Sequence, residues 1–331
     1  MERVELVQLQ HPCITKLIFW KGENMPKVKG KAKKKKNSSV DVVLIFMIIC
    51  ALVAYYALTF GTGADLLNKI YNQNMINAYN NTMVSYSNDD LASIKQNMVE
   101  YNNSIYQEQQ TKTFHYRGPV ATDETYASLP TASDEIGSVR IPSINVNVGF
   151  CHGTGEATLQ SEAGHLYGTS LPIDGENVHA VIAAHSALST ASLFTDLTKV
   201  KEGDKFYVTV LNTEYEYTVD QIKVVLPEDD YQYEQIEEGK NYVTLYTCTP
   251  YGVNTHRLLV RGELTGQKEV ELDKDDLRWK GLLTTLKYAS ELGLIICFPG
   301  IVAVGYAVYV QKHDKKSKKK KKSKKSANVS Q

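Results

Sequence analysis

Cys248 closes a β-branched run, Val243 to Thr247, and a Pro-Tyr-Gly turn follows it. A side chain at a strand end beside a loop is held by a rigid element and is still reachable by substrate. A thiol placed there can act as a nucleophile if a base or a positive partner favours the thiolate. Arg257 stands nine positions on and opens the next apolar run. A strand–loop–strand hairpin returns it to the neighbourhood of Cys248, where a fixed cation can stabilise an oxyanion. On spacing alone, a buried and inert strand-end thiol is the plainer alternative.

Six histidines lie in the central part of the chain: His115, His152, His165, His179, His185 and His256. His185 fits a base best, because it ends the run VIAAH as Cys248 ends its own. Two strand ends at one rim of a barrel place both side chains over a common cleft. For any single histidine a surface or structural role stays open. His256 adjoins Arg257 and points to the opposite face of a regular strand. The other cysteines are Cys13, Cys50, Cys151 and Cys297, and no Cys-x-x-Cys pair exists. No structural zinc site is therefore expected; no acidic cluster is specific enough to call for another metal, and no cofactor is expected. Cys151 reads as a small apolar residue ending the run INVNVGF; a silencing disulfide with Cys248 is the alternative.

The elements that would position these residues begin near Ile136, where the texture turns to short β-branched runs separated by turns. Alternation is clear in Lys205 to Val210 and in Tyr215 to Val219, which argues for an antiparallel sheet or barrel. Upstream, residues 64–112 carry apolar side chains at loose helical spacing and predict two helices broken near Ser85–Asp90. Prolines and glycines mark 117–137 as a loop.

The formal net charge of zero hides a segregation. Residues 1–41 hold ten Lys or Arg and residues 312–331 hold ten more, leaving 17 basic against 32 acidic residues in 42–311. The Lys runs abut apolar stretches and lack interleaved aromatics, so a membrane topology is favoured over nucleic-acid binding. Residues 42–60 and 292–310 are uncharged runs of 19, each long enough as a helix for a hydrocarbon core of about 30 Å. Trp279 and Tyr288 precede the second run, where interfacial aromatics are common. Lys-rich flanks place both termini in the cytoplasm and the middle outside. A cleaved signal peptide at Thr62-Gly63-Ala64 and a buried core helix are the competing readings of the two runs.

The expected organisation is a basic cytoplasmic tail (1–41), a span (42–60), an outer helical segment with a lid loop (61–135) and a β domain (136–270). A juxtamembrane linker (271–291), a second span (292–310) and a Lys-rich cytoplasmic tail (311–331), disordered in the absence of a membrane surface, complete it. The stretch from Met25, MPKVKGKAKKKK, reads as a more natural start than residues 1–24, and intact mass would decide it.

The run TLYTCTPYGVNTHRLLVRG resembles the active-site hairpin of class C sortases, the pilin polymerases of Gram-positive bacteria. GHLYGTSLPIDGENVHAVIAAH is similar to the segment leading to that family's histidine, and IGSVRIPSINVNV to its first strands. The resemblance covers about residues 136–264. It implies a mainly β fold, a closed sortase-type barrel of about eight strands with an N-terminal helical segment and two transmembrane helices. It implies Cys248 as nucleophile, His185 as general acid/base and Arg257 as transition-state stabiliser. The implied reaction cleaves an LPXTG-like signal through a thioester and joins the acyl group to a Lys of another pilin. The implied partners are pilin or surface-protein precursors and the membrane, with a monomeric enzyme and no nucleic acid.

Two departures stand out. The family's histidine is usually followed by Arg-Gly, and here Ser186-Ala187 follow His185. The Asp-Pro-aromatic lid tripeptide is missing between residues 100 and 136, with Phe114 or Tyr126 as substitutes for it. Alternative functions are attachment of surface proteins or pilus bases to the cell wall, a degenerate pilin-binding scaffold, and an unrelated thiol hydrolase.

Overall fold

The computed structural model describes residues 38–111, 124–130, 135–270 and 274–327. The basic N-terminal tail, Met25, Phe114 and most of the expected lid loop lie outside the described residues. The chain divides into two units, Met1–Cys50 and Ala51–Gln331; of the first, only the start of a helix is described.

Helix α1 spans Ser38–Met83 and α2 spans Asn88–Thr111. The break between them falls where the sequence places it, but α1 runs through Gly61-Thr62-Gly63 without interruption. The first apolar run and the helix expected to follow it are thus one element. Ser87 starts α2 with a reciprocal cap: the Asp90 N–H donates to Ser87 Oγ (3.1 Å) and the Ser87 N–H to Asp90 Oδ2 (3.0 Å). Two side-chain amides then bolt α2 to the barrel. Asn102 donates to Leu171 O and accepts from Leu171 N, and Gln109 does the same with Ile236. The polar composition that weakens α2 as an amphipathic helix is what satisfies these loop backbones.

The strands are β1 (Glu135–Ile141), β2 (Val146–His152), β3 (Ala163–His165), β4 (Val178–Ala183), β5 (Lys205–Val210), β6 (Thr213–Val225), β7 (Asn241–Thr249) and β8 (His256–Glu269). Short helices α3 (Glu124–Ala127) and α4 (Glu156–Leu159) sit before β1 and between β2 and β3. The strands close a barrel in the order β1-β2-β3-β4-β7-β8-β6-β5. The sheet is mixed rather than antiparallel throughout, because β2 pairs β3 and β4 pairs β7 in parallel. The β5–β6 hairpin is an excursion between β4 and β7, and it frees those two to lie side by side in the same direction. Inside, the Phe206 and Tyr217 rings stack at 5.3 Å, both wholly buried.

Helix α5 runs from Lys274 to Ala327. Residues 274–291, the expected juxtamembrane linker, are helical and continuous with the second apolar run, and the helix carries on into the Lys-rich tail as far as Ala327. Lysine is a good helix former and no glycine or proline follows Gly305. Pro299 sits inside α5, as a membrane helix tolerates. Within Ile45–Met83 and Gly281–Val310 the two long helices are long and apolar enough to cross a membrane. They touch each other through polar tips: Tyr55 OH donates to Ile295 O (3.0 Å) and Tyr56 OH to Ile296 O (3.2 Å).

Candidate active site

The parallel pairing of β4 with β7 sets Ala183 opposite Tyr246. The match continues past the last strand residue: the Ala184 N–H donates to Tyr246 O (3.0 Å), and Thr247 Oγ1 donates to Ala184 O (2.7 Å). Beyond the histidine, Ser186 Oγ donates to Cys248 O (2.6 Å). His185 is thereby clamped level with Cys248. On the other flank Cys248 is the register partner of Arg257 across the β7–β8 hairpin. The three side chains the sequence singled out meet at one barrel end, in a cleft of about 370 Å³ also lined by Leu159, Leu166, Asp230 and Tyr246.

Cys248 and His185 are half-buried, reachable but shielded. His185 Nε2 makes no hydrogen bond among the described residues, and the Glu156 carboxylate stands 3.6 Å from it. The ring nitrogen is thus buried at the cleft with the carboxylate as its polar neighbour. The Arg257 guanidinium donates to the carbonyls of Asn254 (3.1 Å) and His256 (3.2 Å), which fixes the cation at the start of β8. Tyr246 donates to Asp230 Oδ2 (2.7 Å). Burial, and then that carboxylate, push its phenol far up, so it stays a neutral donor in the cleft wall.

The other described histidines are otherwise engaged. His165 and His179 are buried, and desolvation pushes both down to about 4. His179 Nδ1 faces Gln235 O (2.8 Å) and must donate, so its Nε2 accepts from Thr244 Oγ1 (2.8 Å). His165 has the opposite tautomer: Nε2 donates to Ser170 O (2.8 Å) and Nδ1 accepts from Tyr126 OH (2.8 Å). His152 meets Leu129 O, and His256 meets Thr255 Oγ1. Cys151 is buried, forms no disulfide and donates to Glu162 Oε2 (2.7 Å), and Tyr71 donates to the other oxygen (2.7 Å). Tyr126 is wholly buried against His165. It is a core residue and does not line the cleft, so it does not take the place of a lid aromatic over Cys248. Among the described residues no group of three His, Cys, Asp or Glu side chains converges.

Residues 139–265 match the sortase domain. The chain is 39% identical to a Streptococcus pneumoniae sortase C of known structure, over 58% of this chain and 97% of that one, with a TM-score of 0.53. The chain belongs to the sortase family, class C. A sortase C from Clostridium perfringens is similar at 36% identity, over 58% of this chain and 99% of that one, with a TM-score of 0.50. Among curated proteins, sortase A of Bacillus anthracis is 32% identical over 134 residues, 40% of this chain and 61% of that protein. The chain thus spans between half and two thirds of the length of the curated relatives it matches.

Sequence reasoning missed four residues in or beside this sortase cleft, of which Tyr246 and Thr247 line it. Tyr246 was within reach, since it alternates with Cys248 along β7 and so shares its face. Thr247 and Ser186 flank the named pair, but their bridging role appears only once β4 and β7 are seen in parallel. Glu156 comes from a four-residue helix with no sequence signal of its own.

Proposed function

We propose that this sortase is a membrane-anchored cysteine transpeptidase in which Cys248, His185 and Arg257 carry the chemistry. The observation behind this is the convergence at one barrel end of a half-buried thiol, an imidazole with a free Nε2 and a fixed guanidinium. In the reactive form the Cys248 thiolate attacks the Thr carbonyl of an LPXTG-like signal. Arg257 faces the developing oxyanion. His185, as imidazolium, gives its proton to the departing Gly amine as the C–N bond breaks, leaving a thioester and a neutral ring. A neutral acceptor amine then attacks the thioester and gives its proton to His185. The new amide leaves, and thiolate and imidazolium are restored.

The acceptor in this reading is a Lys amine of another pilin subunit, and the product an isopeptide-linked polymer. The related S. pneumoniae sortase C has pilin substrate specificity, which supports that assignment. Two apolar helices with Lys-rich flanks support anchoring with both termini in the cytoplasm and the barrel outside. Confining enzyme and precursor to one membrane raises their effective concentration.

The test incubates the full chain with a purified pilin precursor. The expected product is a ladder, preceded by an acyl-enzyme whose added mass maps to Cys248. Cys248→Ala should abolish both. A single adduct in place of a ladder would point to attachment of surface proteins or pilus bases. A Cys248→Ala chain that still supported polymerisation would leave only a binding scaffold.

A further inference from the structure

The loop that follows His185 does not end in solvent. The Phe194 N–H donates to His185 O (3.2 Å), and the Thr195 N–H donates to Ser192 O (2.7 Å). Thr195 Oγ1 accepts from the Ala187 N–H (3.0 Å). Residues 185–195 are thus laced into one closed unit. That unit rests on α1, one turn beyond its apolar stretch: the Ser192 N–H donates to Asp65 Oδ1 (2.7 Å), and Lys69 Nζ pairs with Asp65 Oδ2 (2.7 Å). Close by, a Cβ on Gly61 would stand 3.4 Å from Ser189 O.

Two non-glycine residues in the unit hold left-handed backbone: Ala187 at φ 63° and Leu193 at φ 36°. Such conformations persist only where the surroundings over-determine them. Burial pushes the Asp65 carboxyl up, but Lys69 and Ser192 outweigh it and hold it below its ordinary value. An ionised acceptor therefore meets the Ser192 N–H, the stronger kind of hydrogen bond.

We propose that Asp65 on the anchoring helix is a positioning residue for the reaction, because it seats the loop that carries His185. The membrane helix is then part of the active-site scaffold as well as an anchor. This inference rests on the transpeptidase reading of the cleft. A seat of this kind acts on the placement of the imidazole, so it belongs in kcat rather than KM; misplacement by about 1 Å is of the order of 100-fold in rate, and a partial shift is of the order of tenfold.

The test uses the full chain in detergent or vesicles. It reads kcat and KM for transpeptidation, the pH profile of Cys248 alkylation by a small thiol reagent, and thermal melting. Asp65→Ala should lower kcat about tenfold, leave KM within about twofold and alter the alkylation profile. Asp65→Asn keeps an acceptor oxygen and should restore most of the rate. Gly61→Leu should push on Ser189 and lower kcat without touching Asp65, and it stands alone should Asp65→Ala fail to fold. Wild-type kcat in Asp65→Ala or Gly61→Leu would overturn the proposal. So would equal losses in Asp65→Ala and Asp65→Asn that follow melting temperature with an unchanged alkylation profile. A Cys248→Ala chain that still formed product would count against the transpeptidase reading and not against the seat, which the alkylation profile reads by itself.

Discussion

Acid should destabilise this protein before most of its carboxylates titrate. His165 and His179 sit wholly inside the barrel wall as neutral rings, each fixed in one tautomer by two partners. Burial lowers both from 6.5 to about 4; His152 adds to the lowering at His165, and Arg261 does so at His179. Hydrogen bonds to Ser170 O and Gln235 O, and the carboxylates of Glu237 and Asp220, pull the other way. A depressed folded pKa means the unfolded chain binds the proton first. The stabilisation is complete above pH 6.5 and is lost as pH falls toward 4. At about pH 5 each ring has forfeited about 2 kcal/mol, about 4 together. That is a large share of a typical stability of about 5–15 kcal/mol. Asp65 and Glu214, carboxyls held low in the fold, withdraw their own contributions only below their ordinary values of 3.8 and 4.5. Urea unfolding of the full chain, followed by near-ultraviolet dichroism of the buried tyrosines, should therefore show that loss between about pH 7.5 and about pH 5. In His179→Asn the amide N–H can replace Nδ1–H toward Gln235 O, and the pH-dependent loss should halve. A wild-type loss below about 1 kcal/mol, or the same loss in His179→Asn, would refute the reasoning.

Thr247→Val keeps side-chain shape but strips Ala184 O of its donor; it should cost about 1–3 kcal/mol and slow Cys248 alkylation, whereas Thr247→Ser should keep the alkylation rate. Gly262→Ala would drive a Cβ to 2.5 Å from the Phe206 ring, itself stacked on Tyr217. Overpacking there should cost about 1–3 kcal/mol, read as a lower urea midpoint.

The Cys248–Arg257 pair was legible because a hairpin is local: β7 and β8 are joined by six residues, and their register follows from the turn. His185 was legible as a strand end, yet its place beside Cys248 depends on a parallel pairing across more than fifty intervening residues. Nothing in the alternation of β4 or β7 announces that pairing. β3 escaped notice for a different reason: three residues, Ala163–His165, are too few to show a period. The end of the uncharged run at Phe60 set the bound of the first span, yet α1 continues through Gly61 and Gly63, and at Gly61 the absent side chain lets Ser189 approach. Asn102 and Gln109 carry no sequence signal of their contacts, and only the folded chain reveals the loop backbones they satisfy.

The position of β8 in the barrel has a consequence for how the protein is made. β8 is the last strand among the described residues, and it lies between β7 and β6. Before it emerges, the other seven strands can form only an open sheet with β7 and β6 as its two edges. The strand that seals this gap is also the one that delivers Arg257. A nascent chain halted before β8 would hold its thiol and its imidazole without the cation and without a closed wall around them. Biosynthesis itself thus orders events: the barrel shuts, the cleft receives its positive charge, and within a few residues α5 begins.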